Sequence, residues 1–148
     1  MDQERRYVEE FGTTLARMGL PPAYGKVLGW LLISDPPAQS VTEIAQATGL
    51  SKGSVSTAAR LLASGDLIKR ATQPGRRGTF YEMGPDAIMR VVEDGSGYRR
   101  FVEILDRGID VLGGPDNPRT DRLRQTRDFY AFIEQELAAL VARYRARR

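Results

Sequence analysis

The 148-residue sequence contains no cysteine and no histidine. The lack of cysteine excludes disulfide bonds, thiol nucleophiles and thiol-based redox switches. Because both residues are absent, the chain cannot build the usual zinc sites with nitrogen and sulfur ligands, and it cannot form a Ser-His-Asp triad. We therefore expect neither a metal ion nor a cofactor.

Carboxylates are the remaining candidates for catalysis, as acid–base pairs or as oxygen ligands of a metal. Examples are Glu93 with Asp94 and Glu134 with Glu136. These acids fall on helical positions that are predicted to be exposed, or beside a helix break, and no further catalytic group converges on them. We interpret them as surface charge and predict that the protein is not an enzyme.

Long apolar runs are also missing. No stretch of about 18 apolar residues suggests a membrane span, and the start MDQERR is unlike a signal peptide. We expect a cytoplasmic protein with no membrane partner. Lysine is scarce as well, because 3 of the 22 basic residues are lysine and the others are arginine, a composition that hints at a GC-rich bacterial genome.

The most informative segment present is residues 41–64, VTEIAQATGLSKGSVSTAARLLAS, which has the spacing of a helix-turn-helix. A small side chain at Ala45 allows a second helix to cross closely, and Gly49 can adopt the positive φ that ends the first helix. Val55 then fills the angle between the two helices. Ser51 follows the turn and can cap the second helix.

The second helix of this motif has two contrasting faces when its residues are placed at about 100° each. The predicted inner face is Val55, Ala58, Ala59 and Leu62, and the outer face is Gly53, Ser56, Thr57, Arg60 and Ser64. A solvated face usually carries long charged side chains, whereas this one is small, hydroxylic and free of acids. We interpret it as a surface that enters the major groove of DNA, rather than as the outer side of a plain core helix.

Two short strands are predicted after this helix, LIKRAT at residues 67–72 and TFYEM at residues 79–83, around the loop QPGRRG. A helix-turn-helix followed by such a hairpin is a winged helix, and we expect the loop to carry Arg76 and Arg77 at its tip. Basic residues there suit the minor groove or flanking phosphates.

The charge distribution supports DNA as the partner. Residues 51–80 contain six basic residues and one acid, whereas the rest of the chain has 16 basic and 18 acidic residues. The net positive charge is therefore concentrated in the predicted DNA-binding segment. The predicted DNA contacts are Ser51, Lys52, Gly53, Ser54, Ser56, Thr57 and Arg60 on the helix, with Arg76 and Arg77 on the wing.

Further helices are predicted on both sides of the winged segment. Residues 2–18 and 24–34 have helical periodicity, and Pro85 opens a helix with a break at residues 94–97. Apolar residues then recur at alternating steps of three and four along two long helices, a coiled-coil-like pattern. We predict that these two helices form an antiparallel hairpin whose surplus apolar surface, including Phe129 and Phe132, supports a homodimer.

The fold class that we predict is mostly α with a small β-hairpin wing, a winged helix-turn-helix with long terminal dimerisation helices. The predicted divisions are an N-terminal packing or dimerisation helix at 1–22, a DNA-binding domain at 23–90 and a helical dimerisation hairpin at 91–148. Four aromatic residues could line an effector pocket, or could equally be filled core: Tyr24, Trp30, Tyr98 and Phe101.

The order of these elements, together with SKGSVS at residues 51–56 and PGRRGTFYE at 74–82, resembles the MarR superfamily. The SKGSVS segment most resembles its GbsR-like branch. The resemblance implies a dimeric winged-helix transcriptional regulator, often a repressor that a small molecule releases from DNA. The wing differs, because GRRG at residues 75–78 lacks the Asp-Arg-Arg pattern common in the family, which leaves open whether an acid braces the arginines.

These observations predict a sequence-specific regulator that binds double-stranded DNA as a homodimer on an inverted repeat, with a small molecule as a further candidate partner. The alternative is a winged-helix module that binds another protein instead of DNA. Such a module should have an acidic or broadly apolar outer face, and the face predicted here is neither.

Overall fold

The structure is a computed structural model that describes residues 2–94 and 96–147, apart from the side chains of Val91 and Ser96. The elements in chain order are α1 (Asp2–Arg17), α2 (Pro22–Ile33), β1 (Gln39–Ser40), α3 (Val41–Thr48), α4 (Lys52–Ser64), β2 (Lys69–Gln73), β3 (Arg76–Glu82), α5 (Ala87–Asp94), α6 (Ser96–Val111), a 3₁₀ turn (Pro118–Thr120) and α7 (Asp121–Ala146).

The predicted fold class, mostly helical with a small wing, is confirmed. The chain divides into two compact units, of which the first ends at Ala87 and the second begins at Ile88. The helix predicted for residues 1–22 corresponds to α1 and lies within the first unit. Gly95, in the predicted helix break, lies outside the described residues. No helix among the described residues is both long and apolar enough to cross a membrane.

The first unit is built around one apolar core that joins α2, α3, α4 and the sheet. Val27, Ile44 and Val55 are completely buried at its centre. Burial of an aliphatic side chain of this size stabilises the fold by roughly 1.5–3 kcal/mol. The other buried members of the core are Leu28, Leu31, Ala58, Ala59, Leu62, Ile68 and Tyr81.

Small residues allow α1 and α2 to approach each other closely. A Cβ atom added to Gly25 would lie 2.9 Å from the Cα atom of Gly12, and one added to Gly29 would lie 2.9 Å from the ring of Phe11. The first of these contacts is with backbone, so a side chain could be accommodated only if the two helices moved apart. The glycines therefore set the distance between α1 and α2.

The sheet has three antiparallel strands in the order β1-β3-β2. The sequence predicted the hairpin but not β1, whose two residues pair with β3 at Tyr81 and Phe80. The predicted position of Arg76 and Arg77 at the loop tip is wrong. Gln73 pairs with Arg76, so Pro74 and Gly75 form a two-residue turn and both arginines belong to β3.

The second unit contains an antiparallel pair of helices, α6 and α7, as the sequence predicted. The contacts run in opposite directions along the two helices: Arg99 with Glu134, Phe101 with Tyr130, Asp106 with Arg127 and Gly108 with Leu123. Hydrogen bonds to two carboxylates raise the pKa of Arg127 above its ordinary value. The bond to Asp106 has the larger effect and the bond to Asp128 the smaller. Val102 and Val141 are buried within this unit.

We expect Gly25→Ala to lower the free energy of unfolding by about 1–3 kcal/mol, because the new methyl group would overpack the helix contact. Gly53→Ala is the matched control, since a Cβ atom there would meet nothing closer than the Ser51 hydroxyl at 4.0 Å. This control should gain up to about 1 kcal/mol through helix propensity. Denaturant unfolding followed by the single tryptophan, Trp30 in α2, measures both. Equal effects of the two substitutions would contradict the close approach.

Candidate nucleic-acid interface

The turn between α3 and α4 is fixed by backbone geometry and by one buried hydroxyl. Gly49 ends α3 with a φ of 75°, in the left-handed region that a side chain disfavours. The hydroxyl of Thr48, 1% exposed, donates to the carbonyl of Ile44 at 2.7 Å and accepts from the N–H of Leu50 at 3.3 Å. The turn therefore holds α4 at a defined angle to α3.

Helix α4 begins as the sequence predicted. The Ser51 hydroxyl accepts from the backbone N–H of Ser54 at 3.1 Å and donates to the Ser54 hydroxyl at 3.0 Å. Lys52 occupies the first helical position and is exposed. An N-terminus of this kind presents free N–H groups and a partial positive charge, together with a basic side chain, to an anion outside it.

The two faces of α4 have the burial that their sequence pattern predicts. Val55, Ala58 and Ala59 are completely buried and Leu62 nearly so. The opposite face points outward: Gly53, Ser54, Thr57, Arg60 and Ser64 are exposed and Ser56 is half-buried. The structure thus brings the seven helix residues predicted to contact DNA onto one terminus and one outer surface of a single helix.

Arg60 lies along its own helix in this structure. Its Nε–H donates to the carbonyl of Ser56 over 3.4 Å, which is long for a hydrogen bond and therefore weak. No carboxylate partner of Arg60 is seen among the described residues. The guanidinium can consequently leave this position and extend from α4 at little cost.

Arg76, by contrast, is held on three sides within the first unit. Its Nη2 lies 2.6 Å from Oε1 of Glu43 in α3, and its Nη1 donates to Oε1 of Gln73 at 2.9 Å. The guanidinium also stacks 4.8 Å above the centre of the buried Phe80 ring. Gln73 in turn donates from its amide nitrogen to the carbonyl of Ala38, which precedes β1. We call Glu43, Gln73, Arg76 and Phe80 the wing brace.

The positive charge of the first unit is unevenly neutralised. Glu82 pairs with Lys69 at 3.6 Å and Glu43 pairs with Arg76, so both acids of the wing region already have counter-charges. For Lys52 and Arg77, no carboxylate partner is found in residues 2–94 and 96–147. The uncompensated cations of this unit therefore include one at the start of α4 and one at the start of β3.

Four aromatic residues were predicted to line an effector pocket, and two of them, Tyr24 and Trp30, belong to the first unit. These two border different depressions. Trp30 donates to Oε1 of Gln39 at 3.0 Å and borders a cavity of about 350 Å³, whose wall also includes Arg5 and Glu43. Tyr24 borders a separate, open depression with Ala23, Gly53, Ser54 and Thr57. In the second unit, Tyr98 and Phe101 pack against Tyr130 with ring centres 6.1 and 4.7 Å apart.

Reasoning from the sequence missed the wing brace. Glu43 is three residues after Ser40, whose hydroxyl caps α3 by accepting from the Glu43 N–H at 3.1 Å. The SVTE segment matches the sequence pattern of a capping box, and this pattern could have predicted the start of α3. It could not have predicted the contact with Arg76, because that contact joins residues 33 positions apart.

A helix-turn-helix followed by a two-stranded basic wing defines the class of winged helix-turn-helix proteins. Comparison with known families agrees with this architecture. A model of the MarR family matches residues 18–78, and a model described as an MmpR5-like MarR family transcriptional regulator matches residues 86–147.

Individual relatives give the same result. The chain is 32% identical over 142 residues to the HTH-type transcriptional regulator MmpR5 of Mycobacterium tuberculosis, covering 95% of this chain and 86% of that protein. Two proteins of Bacillus subtilis are also similar, each over 83 residues. The chain is 28% identical to the putative HTH-type transcriptional regulator YvaV and 25% identical to the HTH-type transcriptional repressor OpcR. These two alignments cover 56% of this chain and 46% and 44% of the two relatives.

A solved structure is also similar, the crystal structure of a transcriptional regulator, with a TM-score of 0.85, 31% sequence identity and 99% of each chain covered. The chain belongs to the MarR family of transcriptional regulators. Regulators of this family bind DNA, and the family model that matches residues 18–78 covers the helix-turn-helix described above.

The cap of α4 offers a way to separate folding from DNA binding. Ser51→Ala should lower the free energy of unfolding by about 1 kcal/mol, because one N–H group loses its acceptor. Ser51→Asp should keep the stability, since aspartate caps as well as serine, but it should abolish DNA binding by placing a carboxylate against phosphate. Denaturant unfolding and fluorescence anisotropy with labelled duplex measure the two effects. Wild-type DNA affinity in the Asp variant would contradict this account.

Proposed function

We propose that this protein is a sequence-specific repressor that binds an inverted-repeat operator as a homodimer. The observation that carries the proposal is the outer face of α4, which is exposed, rich in small and hydroxyl side chains, and free of carboxylates. Short side chains allow the helix to approach the base edges of the major groove closely, and Ser, Thr and Arg can form hydrogen bonds there.

Two kinds of contact would share the work in such a complex. The start of α4, with Ser51, Lys52 and Ser54, would hold phosphate through free N–H groups and a positive charge. Sequence would be read farther along the helix, where Ser56, Thr57 and Arg60 face outward beside Gly53. The basic wing would add an anchor on the flanking backbone through Arg77, which is exposed near the start of β3.

A homodimer is proposed because the second unit leaves several large apolar side chains exposed. On α7, Phe129 and Phe132 are each 60% exposed, and Leu140 and Tyr144 are about half exposed. A twofold axis would place two recognition helices about 34 Å apart, the distance between successive major grooves on one side of DNA. Light scattering at micromolar concentration tests this: a monomer that still bound its DNA would contradict the proposal.

Repression, rather than activation, is proposed from the relatives, because one of them is named a transcriptional repressor. A reporter gene placed under the DNA upstream of the gene that encodes this chain should show increased expression when the regulator is deleted. Decreased expression would overturn the proposal of repression.

The placement of this chain in the GbsR-like branch is likewise a proposal, supported by the SKGSVS start of the recognition helix.

Small-molecule control of DNA binding is a further part of the proposal. It is supported by the cavity beside Trp30, whose volume of about 350 Å³ lies at the lower end of the range for ligand pockets, roughly 300–1,000 Å³. A thermal-shift screen of metabolites tests it, since a ligand that binds the native state raises the unfolding temperature. A Trp30→Phe variant that kept the full shift would exclude this cavity as the site.

We expect Arg60→Ala to reduce discrimination between the operator and single-base variants of it by about 1–3 kcal/mol for each good base contact that is lost. Affinity for random duplex should change little, because random DNA is held mainly through phosphate. Fluorescence anisotropy with the chain's own upstream region, its base variants and a random duplex makes the comparison. Equal losses on specific and random DNA would show that Arg60 holds backbone and does not read sequence.

The alternative, a winged-helix module that binds protein, predicts no affinity for any duplex at moderate salt. The exposed face of α4 argues against it, because that face is neither acidic nor broadly apolar. The same anisotropy titration distinguishes the two functions, since a protein-binding module would leave the labelled duplex free.

A further inference from the structure

We infer that the two wing arginines have different tasks: Arg76 fixes the wing to α3, and Arg77 makes the phosphate contact of the wing. Glu43 is then a positioning residue that keeps Arg76 away from DNA. The inference rests on the proposed function, because it concerns how the wing of a DNA-binding protein meets the duplex.

The first step is the network around Arg76. Its guanidinium has an ion pair with Glu43 at 2.6 Å, a hydrogen bond to Gln73 at 2.9 Å, and the Phe80 ring at 4.8 Å on its face. The planar guanidinium thus bonds to one residue in α3 and one in β2, and it stacks on an aromatic ring. Lysine could not make this combination of contacts, because its ammonium group is neither planar nor forked. Extension of Arg76 toward a phosphate would break all three contacts.

The second step is the environment of Glu43. Its Oε1 atom is buried and has no hydrogen bond of good geometry, so the Arg76 guanidinium is its compensating charge. The Arg76 side chain is 49% exposed and that of Glu43 is 26% exposed, so the hold on Arg76 comes from three contacts together: the Glu43 ion pair, the Gln73 hydrogen bond and the Phe80 ring. The protein therefore keeps Arg76 where it is when an exposed phosphate competes for it.

The third step is the position of Arg77. Successive side chains of a strand point to opposite faces, so the Arg77 side chain leaves β3 on the face opposite to that of Arg76, although both arginines border one open depression with Glu43. Arg77 is exposed, and it has no carboxylate partner in the described part of the chain. It can therefore reach phosphate without giving up a contact within the protein.

Glu43 supplies the carboxylate for Arg76 that the wing sequence GRRG itself does not contain. The residue before the two arginines is Gly75, and the carboxylate comes instead from α3, the first helix of the helix-turn-helix. The wing is thereby joined to the same helix that sets the angle of α4. Recognition helix and wing should then meet DNA as one rigid piece.

The test uses the full chain and the salt dependence of its affinity for its own upstream DNA. For each phosphate contact, the slope of log K against log salt concentration is about 0.9. In a dimer, Arg77→Gln should therefore reduce the slope by nearly two, whereas Arg76→Gln should leave it unchanged. An equal reduction by both substitutions would overturn the inference.

Glu43→Gln gives the sharper result, because glutamine leaves the Ser40 cap of α3 in place, which uses the backbone N–H of residue 43, and removes the charge that holds Arg76. The slope should become steeper, by up to about two in a dimer, as the released Arg76 finds phosphate. The double variant Glu43→Gln with Arg76→Gln should return to the wild-type slope. A double variant that stayed steep would mean that the lost carboxylate acted only through long-range charge, and the inference would fail.

A second measurement, without DNA, separates this inference from the proposed function. The losses in unfolding midpoint caused by Glu43→Gln and Arg76→Gln, followed by Trp30 fluorescence, should add to more than the loss in the double variant. Glu43→Gln with Arg77→Gln is the matched pair and should be additive. Additive losses in both pairs would overturn the brace. If the brace held but no duplex bound the protein, the proposed function would fail, and the role of Arg77 with it.

Discussion

The burial of one face of α4 is the constraint on which the rest of the structure depends. Val55, Ala58 and Ala59 leave no exposed surface, and two of the three are alanines, so α4 lies close against the helices beneath it. A helix fixed so tightly has no freedom to turn about its axis, because even one methylene too many is felt in a packed core. Its small, hydroxylic and carboxylate-free face is consequently held outward.

Everything around α4 positions that face. The left-handed Gly49 and the buried hydroxyl of Thr48 set its angle to α3, and Ser51 fixes where it begins. The wing is joined to the same frame through Arg76 and Glu43, a contact between β3 and α3. Helix and wing are therefore joined by packing and charge pairing, and their placement relative to each other does not depend on a flexible loop.

The sequence predicted the parts of this site that are local. The roles of Gly49, Ser51 and Val55 depend on neighbours within one or two helical turns, so their spacing is sufficient to recognise them. Individual side-chain and strand contacts between distant segments of the first unit could not be predicted. Strand β1 is two residues long and exists only because it pairs with Phe80 and Tyr81, and a strand so short has no periodicity to detect.

The same limit explains the mistake about the wing tip. A loop of six residues was predicted from its proline, glycines and arginines, whereas strand pairing continues to Gln73 and Arg76 and leaves two residues in the turn. The close contact of Gly12 with Gly25 was equally invisible, because a glycine within a predicted helix does not reveal what crosses it. Periodicity predicted the antiparallel pairing of α6 and α7, since long repeats with a short connection leave few other arrangements.

The most direct test of the central claim, that the outer face of α4 is the surface that meets DNA, is amide hydrogen exchange of the full chain with and without its upstream duplex. Exchange should slow on binding at residues 51–60 and at the start of β3. The core of α2 should keep its own rates, because it is already protected. Slowing confined to the second unit, with α4 unchanged, would contradict the account.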